Sequence, residues 1–420
     1  MNTLQNQWPS IATRIRAIGV LAALTLTALA CGSGNSEPNV SAALYPSVGA
    51  PSWVVPGVGL PAEVTLQDSN NNLDVVRHEG RVFLAFRTSE THFAGPSTVL
   101  WVVSSVDELT WRYEGHFALG TDLREPRFLS WQGSLWLYFA VLGTNPAKFE
   151  PQGSRVAKYQ APGQWQGPDK VFDSTFIPWR VHVIDDKPLM VGYSGGGNIY
   201  DANGAELITV KLLTTDDGTT WRPWVDGTDG SVLVSGGSET DIAVLADGGL
   251  VAVVRNEAGD SDGFGAKVCR APAGQWDQWE CAADPKKYDS PQLFTQGGKV
   301  WLIGRRSLAN EGHYDLKDPG ESHNETSTKY QLQWWSSPKR CALWRVDPVA
   351  LRVTWVADLP SKGDTCFATA LPVPGQADTW RIYNYTSPLE GEDINWLQGQ
   401  LGQTLIYRLD VSFHNSPRTP

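Results

Sequence analysis

TTDDGTTW, from Thr214 to Trp221, closes an apolar, β-branched run, and three further stretches end similar runs in the same way: SSVDELTW (Ser104 to Trp111), APGQW (Ala161 to Trp165) and APAGQW (Ala271 to Trp276). The closing tryptophans stand 54, 56 and 55 residues apart. A period of that length marks a repeated sheet unit. Composition agrees: 41 Gly, 27 Pro and 19 Trp against 2 Met, with 19% charged residues, is a turn-rich and helix-poor profile. By size alone 420 residues suggest two or three domains. In a repeat fold each unit packs only on its neighbours, so the sequence reads as one large domain.

Each unit opens with a strand, turns, and returns to a conspicuous residue. Asn71 to Arg87 (NNLDVVRHEGRVFLAFR), Glu239 to Arg255 and Asp289 to Arg305 are each 16 residues apart, and Arg124 to Ala140 and Ile177 to Tyr193 keep that count. A strand and its returning partner bring both ends of such a pair to one rim of the sheet. Six units follow, at 71–119, 122–173, 176–227, 237–287, 288–362 and 363–413. The fifth is lengthened by a polar and aromatic insertion, Ser307 to Pro338, that carries Trp334 and Trp335. The sixth lacks a fourth strand, and Ala62 to Gln67 (AEVTLQ) is the expected donor, closing the ring through the chain's N-terminal side. The expected fold is an all-β, six-bladed propeller over 61–415, with its first strands around one axial funnel.

Residues 1–30 are set apart. Arg14 and Arg16 precede an uncharged run from Ala17 to Ala30, too short to span a bilayer, which stops at Cys31 before GSGNSEP. This is the pattern of a bacterial export signal. TALAC resembles a lipobox, which implies a diacylglycerol on Cys31, a tether over 31–60 and attachment to the membrane by acyl chains alone. Plain secretion after Ala28-Leu29-Ala30 is the alternative. In an oxidising compartment the other four cysteines can pair in three ways. Cys269 with Cys281 would bridge the arms of one hairpin, leaving Cys341 with Cys366. No C-x-x-C spacing suggests a metal, and the acidic loop NEAGDSDG (Asn256 to Gly263) reads as a solvated turn rather than a calcium site. No cofactor is expected. The net charge of −11 becomes −13 once Arg14 and Arg16 leave with the signal, which disfavours nucleic acid and anionic lipid surfaces as partners.

TTDDGTTW matches the Asp box of sialidases, S/T-x-D-x-G-x-x-W, and SSVDELTW is a degenerate copy. In such a turn Asp216 would accept backbone N–H groups and Gly218 would take the positive φ. SETDIAVLADGGLVAVVRNE (Ser238 to Glu257) resembles the fourth blade of sialidases. That likeness implies that Glu239 stands where the family keeps the partner of its catalytic tyrosine, and Arg255 where an arginine grips the sialic acid carboxylate. Arg340 is the implied third arginine. The chain departs from the family at three points. Asn71 replaces the first arginine, Ala94 and Gly95 occupy the region of the acid/base aspartate with only Glu90 and His92 nearby, and Phe367 replaces the nucleophilic tyrosine, Tyr385 being on another strand.

The expected activity is therefore glycoside hydrolysis other than that of a standard sialidase. Two carboxyl groups are needed, one protonated and one ionised. The inner-strand candidates are Asp74, Glu125, Glu239 and Asp289. DLREPRF (Asp122 to Phe128) is similar to the R-D-P strand of five-bladed propeller glycosidases, which implies a carboxylate role for Glu125. Arg87, Arg124, Arg255, Arg305, Arg340 and Tyr385 are the candidates for holding a carbohydrate or other polar ligand. A non-catalytic glycan- or protein-binding surface lipoprotein with a degenerate site is the alternative.

Overall fold

The computed structural model describes residues 44–173, 175–195, 207–309 and 322–416; Cys31 and the export signal lie outside them. Six antiparallel sheets follow one another along the chain. Their first strands are Ser69–His78, Asp122–Trp131, Phe176–Ile184, Gly237–Val244, Asp289–Gln296 and Thr369–Val373. Each packs against the first strand of the next blade, and the sixth packs against the first, so the circle closes.

Six apolar clusters account for that arrangement. Along Arg81–Ser89, Phe83 and Ala85 face blade two, whereas Val82, Leu84 and Phe86 join Tyr383, Tyr385 and Ile406 of blade six. The two-residue pleat thus gives each sheet two buried faces, and one cluster fills each of the six gaps between neighbouring blades. A blade alone would leave both faces wet.

Closure uses the N-terminal side of the chain, but not the segment expected. Tyr45–Val48 and Ser52–Val55 pair antiparallel with Leu405–His414, so residues 45–55, assigned above to the tether, belong to the propeller. Val54 and Val55 are buried, which is what a fourth strand over a sheet edge requires. The alternating apolar residues of AEVTLQ have another use: Val64 and Leu66 dock on the cluster between blades one and six without pairing as a strand.

The turn at Thr214–Trp221 has one surprise. Asp217, not Asp216, accepts from the N–H groups of Thr219 and Thr220, at 2.7 and 2.6 Å. The reason is that Thr215 Oγ1 opens the turn by accepting from Asp217 and Gly218 N–H, which puts the carboxylate of residue 217 under the next two amides. Asp107 does the same after Ser105, accepting from Leu109 and Thr110 N–H at 2.8 Å each. Gly218 takes φ +76°, and Glu108 holds the equivalent place at φ +59°, secured by Tyr383 and Arg381. Asp216 instead meets Arg222 at the surface.

Cys269–Cys281 and Cys341–Cys366 are the disulfides, the first joining directly opposed residues of one hairpin. In the acidic loop, Asp260 and Asp262 each lie 2.9 Å from the Lys267 ammonium, which is the cation they balance.

Candidate functional site

The first strands share an irregularity that decides what faces the axis. Asn71 pairs with Arg87, Arg124 with Ala140 and Asp289 with Arg305, as the 16-residue spacing implies, and one residue later each strand slips register by a β-bulge. Blade four slips at the same place, between Gly237 and Thr240. A bulge re-aims a side chain out of the pleat. The displaced residues Asn72, Glu125 and Ser290 have φ of +43°, +56° and +53°. Together with Glu239 they line one cavity of about 540 Å³.

All six blades contribute to it: Asn72, His92, Arg124, Glu125, Tyr193, Glu239, Arg255, Ser290, Arg305, Phe367 and Tyr385 form the polar and aromatic wall. Phe93 and Phe149 add an apolar side, as do Trp335 and Trp396, which come from the helices α1 (His323–Ser336) and α2 (Trp396–Leu401). The α1 helix is built from the insertion of blade five. It starts with a capping box of Ser322 and Glu325, and it buries Tyr330 and Trp334 on Phe264 and Trp396.

Two of the four candidate acids reach this cavity. Glu239 is an anion held by Arg255, whose Nη1 lies 2.6 Å from Oε1, while Ser290 N–H donates to Oε2 at 2.7 Å. Glu125 is different. Its Oε2 is buried without a hydrogen-bond partner among the described residues, and burial first, then the nearby Glu239 charge, push its carboxyl up to about 8. At neutral pH it keeps its proton. One neutral and one ionised carboxyl therefore share a cavity, the division of labour that general acid catalysis uses.

The other two acids are withdrawn. Asp74 is two residues past the bulge and accepts from Phe128 N–H and Thr369 Oγ1, tying blades two and six to blade one. Asp289 stays in the pleat one residue before its bulge, fully buried between Arg255 Nε at 3.4 Å and Arg305 Nη1 at 3.6 Å. Neither lines the cavity.

Among the basic candidates, Arg124, Arg255 and Arg305 line it, as does Tyr385. Arg87 does not: it is fully buried, bonded to Asp122 at 2.8 Å and to the carbonyls of Thr91 and Phe93, and acts as a brace. Arg340 points away too, pairing with Asp393 at 2.8 Å, because its strand pairing puts it opposite Arg306 near the outer part of the blade. Beneath Phe367 lies the Arg127 guanidinium, 4.4 Å from the ring centre. Burial, then Arg180, lower its pKa to about 9.

Sequence reasoning passed over a buried network. Asp364 accepts from His92 Nδ1 at 2.6 Å, Tyr385 Oη at 2.8 Å and Trp396 Nε1 at 3.1 Å, and all three donors line the cavity. Burial, then Asp364, raise the Tyr385 phenol well above its ordinary value, so it is a neutral donor. Only His92 and Tyr385 had a visible signal, through their places in the resemblance. Asp364 and Trp396 lie on connecting segments that carry no period.

No family model and no curated protein matches this sequence. Solved structures do. A protein of unknown function from Dyadobacter fermentans superposes with a TM-score of 0.55 at 13% identity, over 82% of this chain and 95% of that one. Trypanosoma rangeli sialidase in complex with sialic acid gives 0.51 at 14% identity, over 82% of this chain and 54% of its own. The phage phi92 endosialidase gives 0.52 at 10%, over 85% and 69%. The fold is sialidase-like. The chain spans little more than half of the trypanosomal enzyme, and identities this low speak for the fold alone.

Proposed function

We propose that this sialidase-like propeller binds a carbohydrate over its axial funnel and cleaves a glycosidic bond there. The observation that carries this reading is the pairing of Glu125 and Glu239 on equivalent bulges of blades two and four, one carboxyl protonated and the other held as an anion by Arg255. In this scheme Glu125 donates its proton to the departing glycosidic oxygen. Glu239 supplies the negative charge that the oxocarbenium-like centre needs, a water molecule adds to that carbon in place of the departed sugar, and the proton this water loses returns to the Glu125 carboxylate. The aromatic residues Trp335, Trp396 and Phe367 offer apolar faces to a sugar ring, and Arg124 and Arg305 offer donors to its oxygens. A solved protein of the same fold holds sialic acid, which supports a sugar as ligand. Phe367, standing where the sialidase resemblance places a nucleophile, argues against the standard sialidase reaction.

The test is release of reducing sugar from a panel of polysaccharides. Cleavage that disappears in Glu125→Gln and Glu239→Gln but persists in Arg340→Ala supports the reading. Cleavage indifferent to both glutamates removes it. Binding without cleavage by the unaltered protein favours the second reading, a glycan-binding lipoprotein, for which the Arg255 clamp on Glu239 is the structural argument. The proposal includes the cell envelope as location, with Cys31 acylated. Incorporation of labelled palmitate that Cys31→Ser abolishes would support it, and an unlabelled secreted protein would refute it.

A further inference from the structure

His92 sits between the second and third strands of blade one, and almost every polar atom it owns is committed. Its N–H donates to Gln400 O at 3.0 Å, its carbonyl accepts from Arg124 Nη2 at 2.5 Å, and its Nδ1 lies 2.6 Å from Asp364 Oδ2. Blades two and six thus hold a blade-one loop on three sides. Only Nε2 has no hydrogen bond among the described residues, and the ring lines the cavity.

Which atom carries the imidazole proton follows from the charges around it. Arg87 of blade one and Arg124 of blade two oppose a positive ring, Asp364 of blade six favours one, and Tyr385 is neutral. Burial is the largest influence and lowers the His92 pKa. Asp364 is itself held below the usual carboxylate range, its burial outweighed by His92, Arg305 and Tyr385. The proton in the 2.6 Å contact therefore belongs to Nδ1. A competing contact exists, from Asn71 Nδ2 at 3.3 Å, but it is longer and uncharged, and that amide also donates to Ser69 Oγ at 2.8 Å. The charge-assisted bond wins. Nε2 is left as a neutral lone pair.

We propose that His92 Nε2 is the acceptor for a hydroxyl group of the ligand, and that Asp364 is the positioning residue that keeps it an acceptor. This rests on the reading of the cavity as a carbohydrate site and adds the group that recognises one hydroxyl. The surrounding wall explains why such an acceptor matters. Arg124, Arg255 and Arg305 can only donate, the Trp396 Nε1 hydrogen is already given to Asp364, and the Glu239 carboxylate is engaged by Arg255 and Ser290, whereas a sugar hydroxyl must also give its own hydrogen away. A desolvated acceptor discriminates strongly against a ring that lacks the matching hydroxyl.

Asp364→Asn is the decisive variant. The amide Oδ1 keeps the bonds from Tyr385 and Trp396, while Nδ2 now donates to His92 Nδ1, so the ring must carry its proton on Nε2. The experiment is a two-dimensional spectrum of the full chain labelled with nitrogen-15 in its 7 histidines, with His92 assigned by its disappearance in His92→Asn. At pH 7 the unaltered protein is expected to show Nδ1 protonated and Nε2 bare, and Asp364→Asn the reverse, with the other histidines unchanged as a control for folding. Methyl glycosides of glucose, galactose and glucuronic acid are then added, and at least one should move the bare Nε2 of the unaltered protein upfield, as accepting a hydrogen bond does, whereas the protonated Nε2 of Asp364→Asn can only donate and should not move upfield. A protonated Nε2 in the unaltered protein, or an Nε2 that no glycoside moves, overturns the proposal. An intact Nε2 response without cleavage of any polysaccharide would remove the hydrolase and leave this inference standing. Cleavage beside a silent Nε2 would do the opposite.

Discussion

Glu125→Gln should make this protein more stable at neutral pH while abolishing its proposed activity. The native carboxyl holds its proton up to about pH 8, whereas in the unfolded chain the same group lets go near 4.5. The native state therefore binds more protons throughout that window. Stability contributed by Glu125 is full below about pH 4.5, declines as the pH rises toward 8, and stays level above it. At pH 7 the window spans roughly 2.5 pH units at about 1.4 kcal/mol each, a ceiling of about 3.5 kcal/mol. The side chain is half-buried, so solvent screening reduces the expected gain in Glu125→Gln to about 1–3 kcal/mol. In a chain of this size that corresponds to a rise of a few degrees in Tm. Calorimetric melts of both proteins at pH 4.5, 6, 7 and 8 provide the check. The difference should be near zero at the lowest pH and grow steadily to pH 8. A difference that is flat with pH, or a variant less stable than its parent at pH 7, would refute a protonated Glu125 and with it the proposed acid.

Three further outcomes follow from the same geometry. Asp217→Ala should lower stability by about 1 kcal/mol through the two lost backbone hydrogen bonds, whereas Asp216→Ala, which removes only an exposed pair with Arg222, should leave the melting curve in place; equal effects would contradict the turn assignment. Opening Cys341–Cys366, which closes a sequence separation of 25, should lower stability by about 3–4 kcal/mol, and opening Cys269–Cys281, with a separation of 12, by about 3 kcal/mol; denaturant melts of the paired Cys→Ser variants read this, and no change in either would be incompatible with a bridge. Asp122→Ala strands the fully buried Arg87 and should destabilise by about 3–5 kcal/mol, while a melt unchanged within error would show that Arg87 finds another partner.

Much of the architecture could be read directly from the chain, and the misses share a cause. The tryptophan period gave the repeat, the count of strand–turn–strand units gave the number of sheets, and the 16-residue spacing gave the pairings of Asn71 with Arg87 and Asp289 with Arg305. Both signals are local, because strand and turn geometry repeat wherever the same residues recur. The closing strand was misplaced because AEVTLQ has the better alternation, whereas Tyr45–Val48 and Ser52–Val55 are short and interrupted by residues 49–51. Only contact with Leu405–His414, some 350 residues away in sequence, makes them strands.

The candidate site divides along the same line. Sequence pattern by itself determined the repeat and the strand pairings, and it offered polar candidates on the inner strands of blades one, two, four and five. It could not choose among them, since Asp289 and Ser290 are neighbours and only one of the two reaches the cavity. Tertiary structure made that choice through the bulges, which turn Asn72, Glu125, Glu239 and Ser290 toward the axis and leave Asp74 and Asp289 bonded between blades. A single slipped residue exchanges the face a side chain looks out from, and whether a strand slips depends on what the adjoining blades press against it.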